Sequence, residues 1–204
     1  MSVNGEPSFG VVDLLIGDEL AATGVAAHSN VTLSGALSIE SFLTNGVLAQ
    51  GRISANADDA VRWLPSLAVI RDAVPGAGAI GGIAAAIDAA DGAVLTVPWD
   101  TPFVPASLLR ALRETGELHD VDAVVPSSRG AWGVEPLVGW FSPWCAPAIA
   151  ARLRADDARA GAWLEDVRVM QLESSPWGNA DRLFFNINTS QDLAQAQRMM
   201  AEAP

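Results

Sequence analysis

The sequence predicts an α/β fold in which a mostly parallel sheet carries helices on both faces. Two observations lead there. From about residue 66 onward, short apolar runs alternate with stretches of helical spacing, the pattern of strands connected through helices. Half of the 204 residues are hydrophobic, enough for one domain, residues 1–204, with a substantial core.

The elements follow in order. FGVVDLLIG (9–17) predicts a central strand, ALSIESFLTNGV (36–47) a helix, and GRISAN (51–56) a strand ending on Asn56. The small, polar stretch between the first two reads as loop. SLAVIRD (66–72) is a short strand, AIGGIAAAIDAA (79–90) a helix with small residues on its packing face, and GAVLTVP (92–98) a strand. PASLLRALRETG (105–116) has helical spacing, with proline at its start and glycine at its end. VDAVVP (121–126) and PLVGWF (136–141) are strands, the second leading into the helix CAPAIAARLRA (145–155). VRVMQL (167–172) and LFFNI (183–187) predict two more strands. TSQDLAQAQRMMAEA (189–203) is a terminal helix with Thr189 as its N-cap.

Composition excludes some classes of function. A net charge of −12 argues against nucleic-acid binding, which needs a basic footprint. No stretch approaches the ~18 apolar residues of a membrane span, and the N-terminus shows no secretory signal. The single cysteine, Cys145, reads as a buried packing residue and suits a reducing cytoplasm. His28 and His119 read as surface residues without partners at ligand spacing. Most of the seven tryptophans are expected in the core, with Trp99 and Trp132 bordering a cleft.

Three polar positions end successive strands: Asn56 after RIS, Asp72 after AVI, and Asp100 after LTVP. In a doubly wound sheet, side chains at strand carboxyl ends converge on one crevice. DAVPGAGAIGGIAAAI (72–87) is a glycine-rich loop feeding a helix, where backbone N–H groups approach an anion closely. Gly78 is the candidate contact there, although Gly76 and Gly78 also serve a plain turn. The loop is neither a Walker A motif, since lysine is missing, nor a dinucleotide fingerprint. A lone carboxylate such as Asp100 suits Mg²⁺, which is held by one or two carboxylates plus substrate phosphates. Asn186 and Asn188 in FFNINT are two apart on the expected strand end, hence on one face.

This order of motifs resembles the molybdenum cofactor guanylyltransferase (MobA-like) family over about residues 51–200, with VPWDTPFVP and FFNINT its most specific pieces. The resemblance implies a three-layer, Rossmann-like nucleotidyltransferase fold that uses GTP and Mg²⁺. It further implies transfer of GMP to molybdopterin with release of pyrophosphate, in the cytoplasm. Partners so implied are GTP, molybdopterin and proteins of molybdoenzyme maturation, without nucleic acid or membrane. On the same resemblance Asn56 and Asp72 contact the nucleotide, Asp100 is the catalytic magnesium ligand, and Asn186 and Asn188 face the pterin. Glu135, in VEPLVGW, falls in a region lining the pterin cleft.

Residues 1–50 depart from the family pattern. The family opens with a Leu-Ala-Gly-Gly loop followed by an arginine and an Asp-Lys pair. Here LAAT (20–23) is a poor echo, the chain has no lysine, and its first arginine is Arg52. Charge-assisted donors are the strongest contacts of a triphosphate. The alternative expectation is therefore an impaired relative that binds nucleotide, pterin or a partner without turnover. Arg71 and Arg129 are candidates to replace the missing charge, and GTP against CTP stays open.

Overall fold

The computed structural model describes residues 11–15, 50–54, 56, 68–74, 76–90, 92–98 and 100–201. The expected helix at 36–47, the loop before it, LAAT, His28 and Trp99 lie outside the described residues.

Seven strands form one sheet: β1 (Val11–Leu15), β2 (Gln50–Ser54), β3 (Ala68–Ile70), β4 (Val94–Pro98), β5 (Ala123–Pro126), β6 (Gly139–Phe141) and β7 (Val169–Leu172). Their order is β3-β2-β1-β4-β6-β5-β7. All run parallel except β6, which pairs antiparallel with both β4 and β5. The sheet is mostly parallel, as expected, but mixed.

Among the described residues, five α-helices accompany it: α1 (Gly78–Ala89), α2 (Ala106–Leu118), α3 (Ala146–Arg154), α4 (Ala180–Leu183) and α5 (Ser190–Ala201). Alternation along the strands divides the core into two layers. Val94, Ala123, Val125 and Phe141 pack with Ile80, Ile83 and Ile87 of α1 and Ile149 of α3. Leu95, Val97, Val124 and Trp140 pack with Leu108, Leu109 and Leu112 of α2. Neighbouring residues of one strand thus serve opposite faces, which makes three layers, helix on sheet on helix. No helix among the described residues is long and apolar enough to cross a membrane.

Three local expectations change. Helix α2 runs through Gly116 to Leu118 rather than ending on the glycine. A Cβ at Gly116 would collide with the Trp140 ring, so the glycine serves close packing and not termination. Residues 183–187 form no strand. Asn179 caps α4 by accepting the Asp181 N–H at 2.8 Å, and Leu183 ends that turn buried. A short apolar run cannot by itself tell strand from helix end. The tryptophans are less buried than expected: of the five described, Trp140 and Trp163 are buried and Trp144 is 74% exposed. Trp132 is half-buried against Gly161, beneath the Arg159 guanidinium.

Other expectations hold. Thr189 starts α5: its Oγ1 accepts the Asp192 N–H at 3.1 Å, while Asp192 Oδ2 accepts the Thr189 N–H at 2.9 Å. Cys145 is buried and donates its S–H to the Asp122 carbonyl; burial, with the Asp122 charge nearby, pushes its thiol up to about 12. His119 is exposed at the end of α2.

Candidate active site at the carboxyl edge of the sheet

Register decides where the polar strand ends meet. Leu15 of β1 is level with Ser54 of β2 and Pro98 of β4, and Ser54 with Ile70 of β3. Asn56, Asp72 and Asp100 each lie two residues past those positions, so all three stand on one edge. From β1 the chain passes to β2 and β3 on one side, then to β4 on the other. That reversal is the place where open α/β sheets bind ligands.

On the β2–β3 side, Asn56 and Asp72 form a clamp. Asn56 Nδ2 donates to Asp72 Oδ2 at 2.9 Å, and Asn56 Oδ1 accepts the Asp72 backbone N–H at 3.1 Å. A carboxylate only accepts and an N–H only donates, so these partners orient the amide uniquely. Arg71 donates from its guanidinium to the Asn56 carbonyl. The far side of the clamp is Gly81 of α1: a Cβ there would lie 3.0 Å from Asp72 Oδ2 and 2.5 Å from the Ala77 Cβ. The small residues of α1 thus admit the carboxylate as well as the sheet. Gly76 and Gly78 have φ of +77° and +60°, values that favour glycine. Gly78 is exposed at the first residue of α1.

On the β4 side, Asp100 follows Pro98 through a tight turn. Thr101 closes it by donating both its N–H (3.3 Å) and its Oγ1 (2.8 Å) to the Pro98 carbonyl. The antiparallel strand β6 brings Glu135 to the same edge. Its register sets Val94 level with Phe141 and Thr96 level with Gly139, and Thr96 Oγ1 donates to the Leu137 carbonyl at 2.7 Å. Glu135 precedes that strand by a turn, closed by the Val138 N–H on the Glu135 carbonyl at 3.3 Å, so it stands at the edge where β4 ends, within reach of the Asp100 charge. Burial, and then the negative charge of Asp100, push the Glu135 carboxyl up to about 7; the Leu137 N–H works in the opposite direction. The Glu135 backbone is fixed as well, its N–H donating to the Pro126 carbonyl at 2.9 Å.

The segment after α4 closes this side. Ile187, buried, donates its N–H to the Asp100 carbonyl at 2.9 Å. Asn186 and Asn188 flank it and are both exposed. The expected strand is absent, yet the two asparagines share a side because their neighbour points inward. Asn188 contributes its N–H to Asp192 Oδ2 at 3.2 Å.

Asn56 and Asp72 therefore meet directly, and Asp100, Glu135 and the Asn186–Asn188 segment gather across β1 from them. Of the arginines suggested as substitutes, Arg71 binds the Asn56 carbonyl and Arg129 pairs with Asp181 at 2.9 Å. The nearness of Glu135 to Asp100 was not visible in the sequence, because it depends on β6 running backwards. A glutamate followed by proline just before a strand was the available signal. Among the described residues, no group of three or more metal-ligating side chains converges.

The chain is similar to known proteins in sequence and in fold. Residues 39–172 match the model of the MobA-like NTP transferase domain. A probable molybdenum cofactor guanylyltransferase of Pelotomaculum thermopropionicum is 35% identical over 140 residues, 67% of this chain and 66% of its own length, just under two thirds. A molybdenum cofactor guanylyltransferase of Cereibacter sphaeroides is 30% identical over 204 residues, 94% of this chain and 96% of its own. The crystal structure of molybdopterin-guanine dinucleotide biosynthesis protein A from Archaeoglobus fulgidus superposes with a TM-score of 0.75 at 25% identity, covering 95% of this chain and 100% of that one. The chain belongs to the MobA-like NTP transferase family, nucleotidyltransferases of molybdenum cofactor biosynthesis.

Proposed function

We propose that this chain, as a single cytoplasmic domain, transfers GMP from GTP to molybdopterin and releases pyrophosphate. The observation that carries the reading is the gathering of Asp100, Glu135 and the Asn186–Asn188 segment across β1 from the Asn56–Asp72 clamp. Nucleotide on one side of the switch point and acceptor on the other would meet over β1. The acceptor phosphate oxygen attacks the α-phosphorus, forming one P–O bond as the bond to pyrophosphate breaks. Catalysis of this kind rests mostly on positioning and electrostatics.

The residues fit a hard, oxygen-seeking cation such as Mg²⁺. Two carboxylates stand near each other in a partly dry seam, where the charge of one opposes ionisation of the other. Asp100, with Glu135 near it, would hold the ion. Bound there, magnesium would neutralise charge on the departing pyrophosphate. Asp72, held by Asn56, accepts hydrogen bonds from the nucleotide, and Gly78 leaves the entry of α1 open to it. Asn186 and Asn188 orient the pterin, and proteins of molybdoenzyme maturation would receive the product.

One observation favours a second reading, a relative that binds without turnover: the chain has no lysine and no arginine before Arg52. Calorimetric titration of GTP with and without Mg²⁺, followed by a turnover assay with molybdopterin, separates the two. The first reading expects magnesium-dependent binding and product, both reduced at least tenfold by Asp100→Asn, about the scale of one lost electrostatic contact in a transition state. GTP binding without product, or no binding by a folded sample, would favour the second. CTP serves as the competitor that tests the choice of base.

A further inference from the structure

A site that handles phosphates needs cations, and Arg71 is engaged by the Asn56 carbonyl and Arg129 by Asp181. Among the described residues, Arg182 is not so engaged. It lies on α4, and its guanidinium carbon sits 5.1 Å from the centre of the Phe103 ring. Phe103 is three residues beyond Asp100, and its ring lies 6.5 Å from that of Phe185, the residue before Asn186. The guanidinium thus lies against Phe103, whose ring neighbours Phe185, and the segments of these two rings meet through the hydrogen bond from Ile187 to Asp100. Among the described residues, no carboxylate or hydrogen-bond acceptor engages the Arg182 side chain; its neighbour Asp181 is taken by Arg129 at 2.9 Å. A guanidinium lying on an aromatic face keeps its edge N–H groups for a planar, bidentate acceptor, and phosphate is such an acceptor.

We propose that Arg182 binds the phosphate of the acceptor beside Asp100, an inference that rests on reading this edge as a nucleotidyl-transfer centre. Strand order favours the acceptor over the nucleotide: Asn56 and Asp72 lie on the β2–β3 side of β1, whereas Asp100, Phe103 and Arg182 lie on the β4 side.

The test measures binding of molybdopterin, dephosphorylated molybdopterin and GTP–Mg²⁺ to the native chain, Arg182→Gln and Arg182→Lys, by quenching of tryptophan fluorescence. Arg182→Gln is expected to weaken molybdopterin roughly tenfold or more, the scale of one charge-assisted hydrogen bond. It should leave the dephosphorylated pterin and GTP unchanged, and Arg182→Lys should recover part of the loss. Unchanged molybdopterin affinity in a folded Arg182→Gln protein overturns the proposal. Equal losses for both pterins would assign Arg182 a structural role and overturn it too. A loss confined to GTP would move the guanidinium to the nucleotide phosphates and overturn the acceptor assignment. A native chain that binds molybdopterin through Arg182 yet transfers no GMP would sink the guanylyl-transfer reading alone.

Discussion

Glu135 carries the clearest consequence at the scale of single residues. Its carboxyl is raised from 4.5 to about 7 by burial and by the Asp100 charge. A group whose folded value lies above its unfolded one stabilises the fold fully at pH below the unfolded value. It loses that contribution as pH rises through the folded value. In metal-free buffer, Glu135→Gln should therefore melt higher than the native protein at pH 8, by on the order of 2 kcal/mol, and nearly level with it at pH 5. Equal melting at pH 8 would mean that neither burial nor the Asp100 charge opposes ionisation of Glu135. The clamp makes a different prediction. Because Asn56 spends two hydrogen bonds on Asp72, it acts on the nucleotide largely through that carboxylate. Asn56→Ala should raise the KM for GTP roughly tenfold, and adding it to Asp72→Ala should cost little more. Additive losses would instead give Asn56 its own contact with nucleotide.

Among the elements, α2 and β6 show how packing overrides local signals. Gly116 looked like a helix terminator, since glycine often follows a last turn. Its position inside the last turn makes sense only with Trp140 of β6 seated against it. Gly116→Ala should lower stability by about 1–3 kcal/mol, the usual cost of overfilling a packed core, even though alanine is the better helix former. A rise in melting temperature would show that the indole moves aside freely. The Thr189–Asp192 cap of α5 was legible because its geometry is contained within four residues. The absence of a strand at 183–187 was not, because LFF and Ile187 satisfy their burial against different neighbours in a turn and a loop.

For the whole molecule, the −12 net charge is spread over a fold whose basic residues are all arginine. Like charges destabilise a compact state, and salt with a Debye length near ~8 Å at about 0.15 M screens them. Sodium chloride should raise the melting temperature over that range. A fall would show that pairs such as Arg168 with Asp122 and Asp120, at 2.9 and 2.7 Å, outweigh the general repulsion.

The sequence by itself determined the alternation of strands and helices over most of the chain, the three layers, the Thr189 cap, and which strand ends carry Asn56, Asp72 and Asp100. Those features are written in windows of a few residues, through periodicity and turn chemistry. Only the tertiary structure decided that β6 runs antiparallel, that Glu135 therefore stands near Asp100, that Asn56 grips Asp72, and that Arg182 lies over Phe103. Each depends on which distant segments become neighbours and in what register. That choice is made by burying both faces of the sheet at once, and no local stretch of sequence contains it.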